Sequence, residues 1–453
     1  MKMAFKNLGR NKRRNFATAS AIVLGYAGLI VLSGFVTRIE KFFRATSVYL
    51  NHVGTLSVYK PGGVEKHLQR PKDYSLTGEE TKTITQIAQN TFPDNEGISA
   101  TLQGFSLIGN GCKTWPVKIK GIDASMEQRL VRLPSVQRYS NELLNARRGA
   151  QIWQFDTITP ILVTDKVARA LGKLNIRTDL HANQSKNTET DLSYDCDDKR
   201  FVMHLAKDSN VQLAARTYLN AFSAVDAEVV GFYTSGLELL EESAALVPLT
   251  ALRRLYETEG STNIVIYLPW GTDEQKAAKK LSYALEKENL DFEVHHFKEF
   301  SVNPFYAGFM NLIYVMSSFF LTLAIAVVAL TVTDTMTMSV LERTREIGTL
   351  RAIGFKEKQI TRLFTFEGVF LATLCLPIGY LTAMTISWLI NSIEFMFEVP
   401  GISTKIKVIL EFVPLTSIVL GAALVAVTGL AGWMTSRRTS KKTITGLLQT
   451  HVS

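Results

Sequence analysis

Residues 342–355 read ERTREIGTLRAIGF, and this charged segment lies between two long apolar runs of the chain. On a helix, the charged side chains project away from one apolar face, which is formed by Ile347, Leu350, Ile353 and Gly354. Such a helix either lies along a membrane surface as an anchor or inserts its apolar face into a groove of a partner protein. The mixture of acids and bases favours the partner over the anchor.

Four uncharged stretches are long enough to cross a membrane, since a bilayer core of about 30 Å needs roughly 20 mostly apolar helical residues. They lie between Arg14 and Arg38, between Glu299 and Asp334, between Glu367 and Glu394, and between Glu411 and Arg437. Basic residues precede the first stretch, as in a cleavable signal peptide. Its helix-like continuation without a small-residue cleavage site favours a retained span.

The placement of charge predicts the orientation. Residues 1–14 hold six basic residues and no acid, residues 339–363 hold six basic residues and three acids, and residues 437–453 hold four basic residues and no acid. Short cytoplasmic loops collect Lys and Arg, so we expect these three segments on the inside. The net charge of +9 is then a consequence of topology, and we expect no nucleic-acid partner.

The predicted fold class is a membrane α-helical protein with four transmembrane helices and a large extracytoplasmic α+β domain inserted between helices one and two. The expected order is a cytoplasmic elbow helix 1–16, span 17–37, the extracytoplasmic domain 38–304 with stalk helices, span 305–335, the charged loop 339–363, span 364–391, an outside link 392–411, span 412–435 and a cytoplasmic tail 436–453. The stalk is expected over residues 300–312, against the helix through Phe42 and Phe43.

Strand–helix–strand patterns on both flanks of the extracytoplasmic domain predict an α+β lobe, with an inserted lobe at about 155–235. The predicted elements are a strand at 55–59, a helix capped by Thr77 and Glu80, a strand at 115–120, a strand at 263–268, a helix capped by Thr272 and Gln275, and a strand at 292–294. The polar stretch 183–199 is expected to be a loop. Cys112 and Cys196 either form a disulfide or remain two independent thiols.

Three segments of the same domain are candidates for phosphate or metal binding. Residues 109–114 (GNGCKT) lack the contiguous Gly-Lys-Thr of a phosphate-binding loop and are expected to form a turn. The acidic residues 195–198 are expected to form an exposed loop. His295 and His296 are neighbours on a predicted strand and should face opposite sides, so they are poorly placed to share a metal ion. We therefore expect no catalytic site and no metal site in this chain.

The segment ERTREIGTLRAIGFKEKQI at 342–360, together with Phe366-Glu367-Gly368 and Gly379, resembles the permease domain of MacB/FtsX-type (type VII) ABC transporters. The layout of one span, a large outside domain and three further spans is similar as well. Residues 165–172 and 247–250 are similar to parts of the outside domains of such proteins.

The resemblance implies that the charged loop is a coupling helix, which docks in a groove of a separate ATPase subunit. Carried over by position, the coupling residues are Glu342, Arg345, Glu346, Gly348, Leu350, Arg351 and Gly354. Arg351 would pair with an acid of the ATPase or with the intramembrane Glu367. The chain itself would hold no cofactor, and ATP and Mg would be bound by the partner, because the sixteen residues before the first span cannot contain an ATPase domain.

The resemblance also implies partners and a location. We expect two ATPase copies, a second permease chain that is either a copy of this one or a paralogue, and the lipids of a bacterial inner (cytoplasmic) membrane. A periplasmic adaptor, a lipoprotein or a hydrolase are further candidate partners.

Three functions are compatible with these features. The first, favoured by the large two-lobed outside domain, is a permease subunit without enzymatic activity of its own. It would use mechanotransmission to drive extraction or export of a lipoprotein, lipid, peptide or drug from the periplasmic side. The second is an FtsX-like regulator that transmits ATPase motion to an outside partner such as a cell-wall hydrolase. The third is a membrane-anchored receptor with no ATPase.

Overall fold

The computed structural model describes residues 12–149, 159–173, 196–393, 395–399 and 401–440. The chain divides into two compact units. We call the first the helical unit, comprising Met1–Glu40, Met310–Phe395 and Lys407–Ser453, and the second the inserted unit, comprising Lys41–Phe309 and Met396–Ile406. The predicted elbow helix 1–16 lies largely outside the described residues.

The helices include four very long ones and several of a single turn. Their bounds are α1 Lys12–Ala45, α2 Gly63–Lys66, α3 Pro71–Tyr74, α4 Gly78–Thr91, α5 Ala124–Val131, α6 Pro134–Asn145, α7 Asp165–Ala170, α8 Lys199–Lys207, α9 Glu238–Glu241, α10 Leu249–Tyr256, α11 Glu274–Lys287, α12 Pro304–Glu342, α13 Thr344–Ala352, α14 Glu357–Ile393 and α15 Pro414–Ser440. A π-helical turn, Thr46–Leu50, continues α1.

The strands belong to the inserted unit, apart from the end of the last one. Their bounds are β1 Leu56–Tyr59, β2 Gly97–Gly109, β3 Thr114–Ile122, β4 Arg148–Gly149, β5 Pro160–Val163, β6 Asn210–Arg216, β7 Phe222–Phe232, β8 Ala244–Pro248, β9 Asn263–Tyr267, β10 Glu293–His296, β11 Met396–Phe397 and β12 Ile406–Lys407.

In the helical unit, α1, α12, α14 and α15 are long and apolar enough to cross a membrane, which confirms the four predicted spans. α14 and α15 approach α1 closely at Tyr26. The Tyr26 hydroxyl donates to the carbonyl oxygen of Ser417 at 2.8 Å, and a Cβ on Gly379 would lie 2.9 Å from the Tyr26 ring. The glycine is therefore needed where two spanning helices approach each other, a common use of small residues in membranes.

The inserted unit is built on one sheet with the order β10-β1-β9-β2-β3-β8-β5-β7-β4, and β6 pairs with both β2 and β7. The first part of β2, from Gly97 to Thr101, pairs with β9, and the part after Leu102 pairs with β3. One hydrophobic core lies under β1, β9, α4 and α11, and a second lies under β3, β5, β6, β7 and α10. The two predicted lobes thus share the long strand β2.

The second lobe is larger than predicted, because its core draws on residues from Leu102 to Tyr256 rather than 155–235 alone. The hairpin β2–β3 and the unit β8–α10 supply part of that core. Both were predicted to belong to the flanks, because the sequence of a strand does not show which hydrophobic core the strand will cover.

Two predicted caps have different outcomes. The Thr77–Glu80 capping box is confirmed, with both reciprocal hydrogen bonds formed. The cap of α11 by Thr272 and Gln275 is wrong, because Asp273 accepts from Lys276 N at 3.1 Å and is the N-cap. The Thr272 hydroxyl instead donates to the Pro269 carbonyl oxygen.

The stalk begins later than predicted. Residues 300–303 form a turn, and α12 starts at Pro304, whose fixed φ and missing N–H suit the first helical position. The predicted pairing with the end of α1 is confirmed by the Phe43 ring, which lies 5.9 Å from Phe305 and 4.7 Å from Phe309.

Cys112 and Cys196 form a disulfide, so the first of the two open alternatives holds. Residues 109–114 form the turn of the β2–β3 hairpin, as expected, with Asn110 Oδ1 accepting from the backbone N–H groups of Cys112 and Lys113. The disulfide fixes the segment before α8 to this turn. Most of the loop predicted at 183–199 lies outside the described residues.

Candidate functional site

The charged segment contains the predicted short helix. α13 covers Thr344–Ala352 and ends in a complete Schellman motif, in which Gly354 N donates to Arg351 O and Phe355 N donates to Leu350 O, both at 3.0 Å. Gly354 has a φ of +103°, a conformation that glycine adopts at little cost. The helix is therefore stopped sharply, and the chain turns before α14 begins at Glu357.

The apolar face of α13 is divided between two environments. Ile347 is buried, and Leu350 packs beside it on a cluster formed by residues of the preceding and following helices: Val340, Ile360 and Phe364. Ile353 in contrast is 73% exposed. The prediction of one face open to a partner is thus corrected, because the neighbouring spans cover Ile347 and Leu350.

The surface that remains open is the turn after α13. Ile353 and Phe355 are large apolar residues that stay exposed, at 73% and 47%, and the residues from Ala352 to Gln359 are all exposed. The turn therefore presents two apolar side chains at the end of a helix whose other apolar residues, Ile347 and Leu350, pack against the neighbouring helices. Such an arrangement can dock in a groove of another protein.

Two arginines of this region form ion pairs within the chain. Arg351 Nη2 lies 3.2 Å from Glu357 Oε1, and Arg343 Nη1 lies 3.5 Å from Glu367 Oε2. The expected pairing of Arg351 with Glu367 is wrong within the chain. Glu367 lies ten residues beyond Glu357 on α14, about 15 Å further along the helix axis.

The other predicted coupling residues occupy the same stretch. Glu342 is exposed at the end of α12, and Gly348 is buried within α13. Arg345 and Glu346 lie in α13, but their side chains are outside the described part of the structure. Arg343 was not predicted to pair with Glu367, although its position at the junction of α12 and α13 was visible in the motif.

Two cation–aromatic pairs flank this loop on α14 and α15. The Arg362 guanidinium carbon lies 5.5 Å from the Phe366 ring centroid, and that of Arg437 lies 5.0 Å from the Trp433 ring centroid. All four side chains line a groove of about 610 Å³. Aromatic and basic side chains concentrate at membrane–water interfaces, so this is the expected composition of a span end.

The inserted unit contains a buried ionic cluster that sequence reasoning missed. Glu127 is fully buried, with His52 Nε2 at 2.9 Å from one carboxylate oxygen and Arg147 on the other. Burial alone would raise the pKa of Glu127, but Arg147 and His52 lower it to about 2. Lys120 Nζ donates to the carbonyl oxygens of Asn51 and His52 at 2.9 Å. The cluster stabilises the inserted unit.

Within the described residues, no group of three or more His, Cys, Asp or Glu side chains is placed to hold a metal ion. His295 and His296 are both within 3.5 Å of Glu299, although they are neighbours on β10. The acid follows the strand and reaches both rings, so their positions are explained by contacts with this carboxylate.

The C-terminal part of the chain matches a family model. Residues 318–444 match the FtsX-like permease C-terminal family. The chain is 38% identical over 69 residues to the ABC transporter permease YtrF of Bacillus subtilis (strain 168), covering 15% of this chain and 16% of that protein. It is 24% identical over 189 residues to an uncharacterized ABC transporter permease of Methanocaldococcus jannaschii, covering 40% of this chain and 47% of that protein.

The matched parts span less than half the length of these two curated relatives. Among solved structures, the chain is similar to the extracellular domain of the noncanonic ABC-type transporter YknZ from Gram-positive bacteria. The TM-score is 0.27 at 12% identity, covering 53% of this chain and 99% of that domain. The matches to permeases agree with the resemblance that the segment at 342–360 predicted.

Proposed function

We propose that this chain, an ABC transporter permease of the MacB/FtsX type, couples ATP hydrolysis by a separate ATPase subunit to movement of its inserted unit. The movement would drive extraction or export of a lipoprotein, lipid, peptide or drug from the outer side of a bacterial inner membrane. In this proposal ATP and Mg are bound by the ATPase, and both termini of the permease are cytoplasmic.

The observation that carries the proposal is the geometry of α13. Ile347 and Leu350 fix the helix on its own spans, while Ile353 and Phe355 stay exposed on the turn that follows. A partner that binds the turn would move the ends of α12 and α14, because α13 is packed against both of them. The coupling contact is therefore assigned to the turn, and Leu350 to the anchoring of the helix.

A continuous helix provides the path for such a movement. α12 is a single helix of 39 residues from Pro304, in the inserted unit, to Glu342, next to α13. At 1.5 Å per residue it is about 58 Å long. Within the inserted unit, its first turns contact the Phe43 ring of α1. Displacement at the charged loop would thus reach the inserted unit along one rigid element.

A second permease chain is part of the proposal, together with two ATPase copies. α12 has the smallest buried share of the four spans, at 11% of its most apolar window. Phe319, Leu323 and Leu330 are among its exposed apolar side chains. A second copy or a paralogue would cover part of this face, with membrane lipids covering the rest.

The test compares three substitutions by a negative charge in the full complex. Ile353→Asp and Phe355→Asp place an unpaired carboxylate in the proposed contact, which costs several kcal/mol at a desolvated site. We expect both variants to insert and to lose the co-purifying ATPase. Leu350→Asp should instead destabilise the loop itself, which limited proteolysis between α12 and α14 would detect.

Ile393→Asp is the matched control, because Ile393 is a similarly exposed isoleucine (64%) at the opposite end of α14. It should leave the ATPase bound. ATPase recovery that is unchanged in Ile353→Asp and Phe355→Asp would contradict the assignment of the turn as the coupling contact.

A further inference from the structure

The inserted unit holds a cavity that the proposed coupling does not use. Its volume is about 380 Å³, within the range of small-molecule sites. Its wall combines the turn after α1, strand β3, the start of β8 and the segment 301–305 that leads into α12. All of these residues belong to the inserted unit.

Positive charge converges on this cavity. Lys118 and Lys120 are two residues apart on β3 and therefore project from the same face of the strand, and both line the cavity with His67. No aspartate or glutamate is among the described residues of the wall. In the part of the chain that the structure describes, the ammonium group of Lys118 has no ion-pair or hydrogen-bond partner, so its charge is uncompensated.

The pKa shifts agree with this geometry. Burial lowers the pKa of Lys118, and burial together with the neighbouring Lys118 lowers the pKa of Lys120 to about 7. Burial lowers the pKa of His67, and the two lysines lower it further. All three groups lose charge more readily than usual because they are buried, and for Lys120 and His67 also because a neighbouring lysine carries the same charge.

Two buried polar side chains of the wall have atoms without partners. His67 is 7% exposed and Asn303 is 6% exposed. The Nδ1 of His67 contacts the Gly63 carbonyl oxygen at 2.8 Å, but its Nε2 has no hydrogen-bond partner, and neither has the Nδ2 of Asn303. Buried polar atoms are nearly always hydrogen-bonded in folded proteins. The Asn303 Nδ2 therefore lacks an acceptor, whereas the Nε2 of a neutral His67 ring, whose Nδ1 donates to Gly63, lacks a donor.

The remaining wall is apolar. Leu68, Leu237, Leu240, Val302 and Phe305 line the cavity beside the polar group. A ligand that matches both parts has an acidic head and a hydrocarbon body. Inorganic anions would satisfy only the lysines, and a neutral hydrocarbon would leave their charge uncompensated.

We propose that this cavity binds an anionic amphiphile, with a carboxylate or phosphate head at Lys118, Lys120 and His67 and its hydrocarbon part against the leucines. The site goes beyond the coupling of an ATPase, and its occupancy can be measured without one. A bound anion would give Lys118 its counter-charge.

The experiment uses the full chain in phosphatidylcholine nanodiscs, without ATPase or ATP. Octanoate and octyl phosphate are titrated by calorimetry, with octanol and octylammonium as neutral and cationic probes of the same chain length. Saturable binding is expected for the two anions only. Tighter binding of octyl phosphate would indicate a phospholipid-type head, and tighter binding of octanoate would indicate a fatty-acid-type head.

The variant Lys118→Gln should weaken binding of the preferred anion at least fivefold, corresponding to about 1 kcal/mol of binding free energy. Its thermal midpoint should not fall, because Lys118 has no partner to lose. Lys82→Gln, at an exposed lysine of α4, is the matched control and should bind as the unmodified chain does. Gln103→Met, which removes a neutral donor from the wall, is a second variant with a smaller expected loss.

Two results would overturn the inference. One is equal binding of octanoate by the unmodified chain and by Lys118→Gln. The other is saturable binding of octylammonium with the same affinity as the anions, since a site built from lysines would repel it.

Discussion

The two units of the chain each bury a carboxylate, and they do so differently. Glu127 of the inserted unit is fully buried between Arg147 and His52, with His52 Nε2 at 2.9 Å. Glu367 of the helical unit is 6% exposed, and Arg343 approaches it to 3.5 Å. The first carboxylate is held by two close partners from distant parts of the chain, whereas the second has a longer contact with the residue that precedes α13.

The residues around Glu127 form further contacts that add to this contrast. His52 has a φ of 51°, an uncommon conformation for a residue with a side chain, and Lys120 holds this loop through two backbone carbonyls. The Tyr267 hydroxyl lies 3.1 Å from His52 Nδ1. We infer that the Glu127 cluster serves stability, while the Arg343–Glu367 pair joins the junction of α12 and α13 to α14.

The largest effect is expected for Glu127→Gln. Removing the carboxylate leaves the buried Arg147 charge uncompensated, and breaking a buried pair in this way costs about 3–5 kcal/mol. That is a large part of the stability of an ordinary domain. The thermal midpoint of the full chain in nanodiscs, followed by near-ultraviolet circular dichroism, should fall strongly. Glu79→Gln, at an exposed glutamate of α4, should change it little.

The same cluster makes stability depend on pH. The folded-state pKa of Glu127, about 2, lies below its ordinary value of 4.5. Its stabilisation is therefore complete above about pH 4.5 and is lost as the pH falls towards 2. In Glu127→Gln this component of the acid dependence should disappear. An unchanged acid profile in the variant would contradict the role assigned to the cluster.

The contrast also explains what the sequence could predict. Glu367 was recognised because it belongs to the motif that carries the family resemblance, whereas Glu127 is an ordinary acid in a polar sequence, and its partners His52 and Arg147 are far away along the chain. The spans, the strand β9 and the Thr77 capping box were predictable for a related reason: each is encoded locally, by hydropathy, periodicity or a fixed spacing.

The charged segment was predicted in part. Its helical period follows from local sequence, and α13 confirms it for Thr344–Ala352. Gly354 was expected on the apolar face of the helix, which is wrong, because its φ of +103° places it in the turn after the helix. The direction that each apolar residue faces did not follow, because Val340 and Phe364 of the adjacent spans cover Ile347 and Leu350. A single helix does not specify which part of its apolar face its own chain will bury.

An intermediate effect is expected at the Arg343–Glu367 pair. Arg343→Met removes one partner of a mostly buried contact, and we expect a loss of about 1–3 kcal/mol in thermal stability. The double variant Arg343→Met/Glu367→Leu should recover much of this loss, because it removes both charges of the pair together. The thermal midpoints of Arg343→Met, of Glu367→Leu and of the double variant, each compared with the unmodified chain, form a double-mutant cycle.

A double variant no more stable than Arg343→Met would show that the pair is not coupled. Arg343→Lys provides the matched control, since it keeps the positive charge. It should retain most of the stability if the attraction to Glu367 matters more than the guanidinium geometry.

The smallest effect on stability is expected for Arg351→Ala. Arg351 pairs at 3.2 Å with Glu357, whose side chain is 46% exposed, and partly exposed pairs contribute about 0.2–1 kcal/mol. The thermal midpoint should therefore barely change. If Arg351 fixes the turn that the ATPase binds, stimulation of ATP turnover by the permease should nevertheless fall about fivefold or more, the usual range of coupling between sites.

Lys356→Ala, at an exposed basic residue of the same turn, separates this effect from a general loss of positive charge. Equal losses of turnover in both variants would assign the effect to charge alone, and an Arg351→Ala variant with normal turnover would remove Arg351 from the coupling contact.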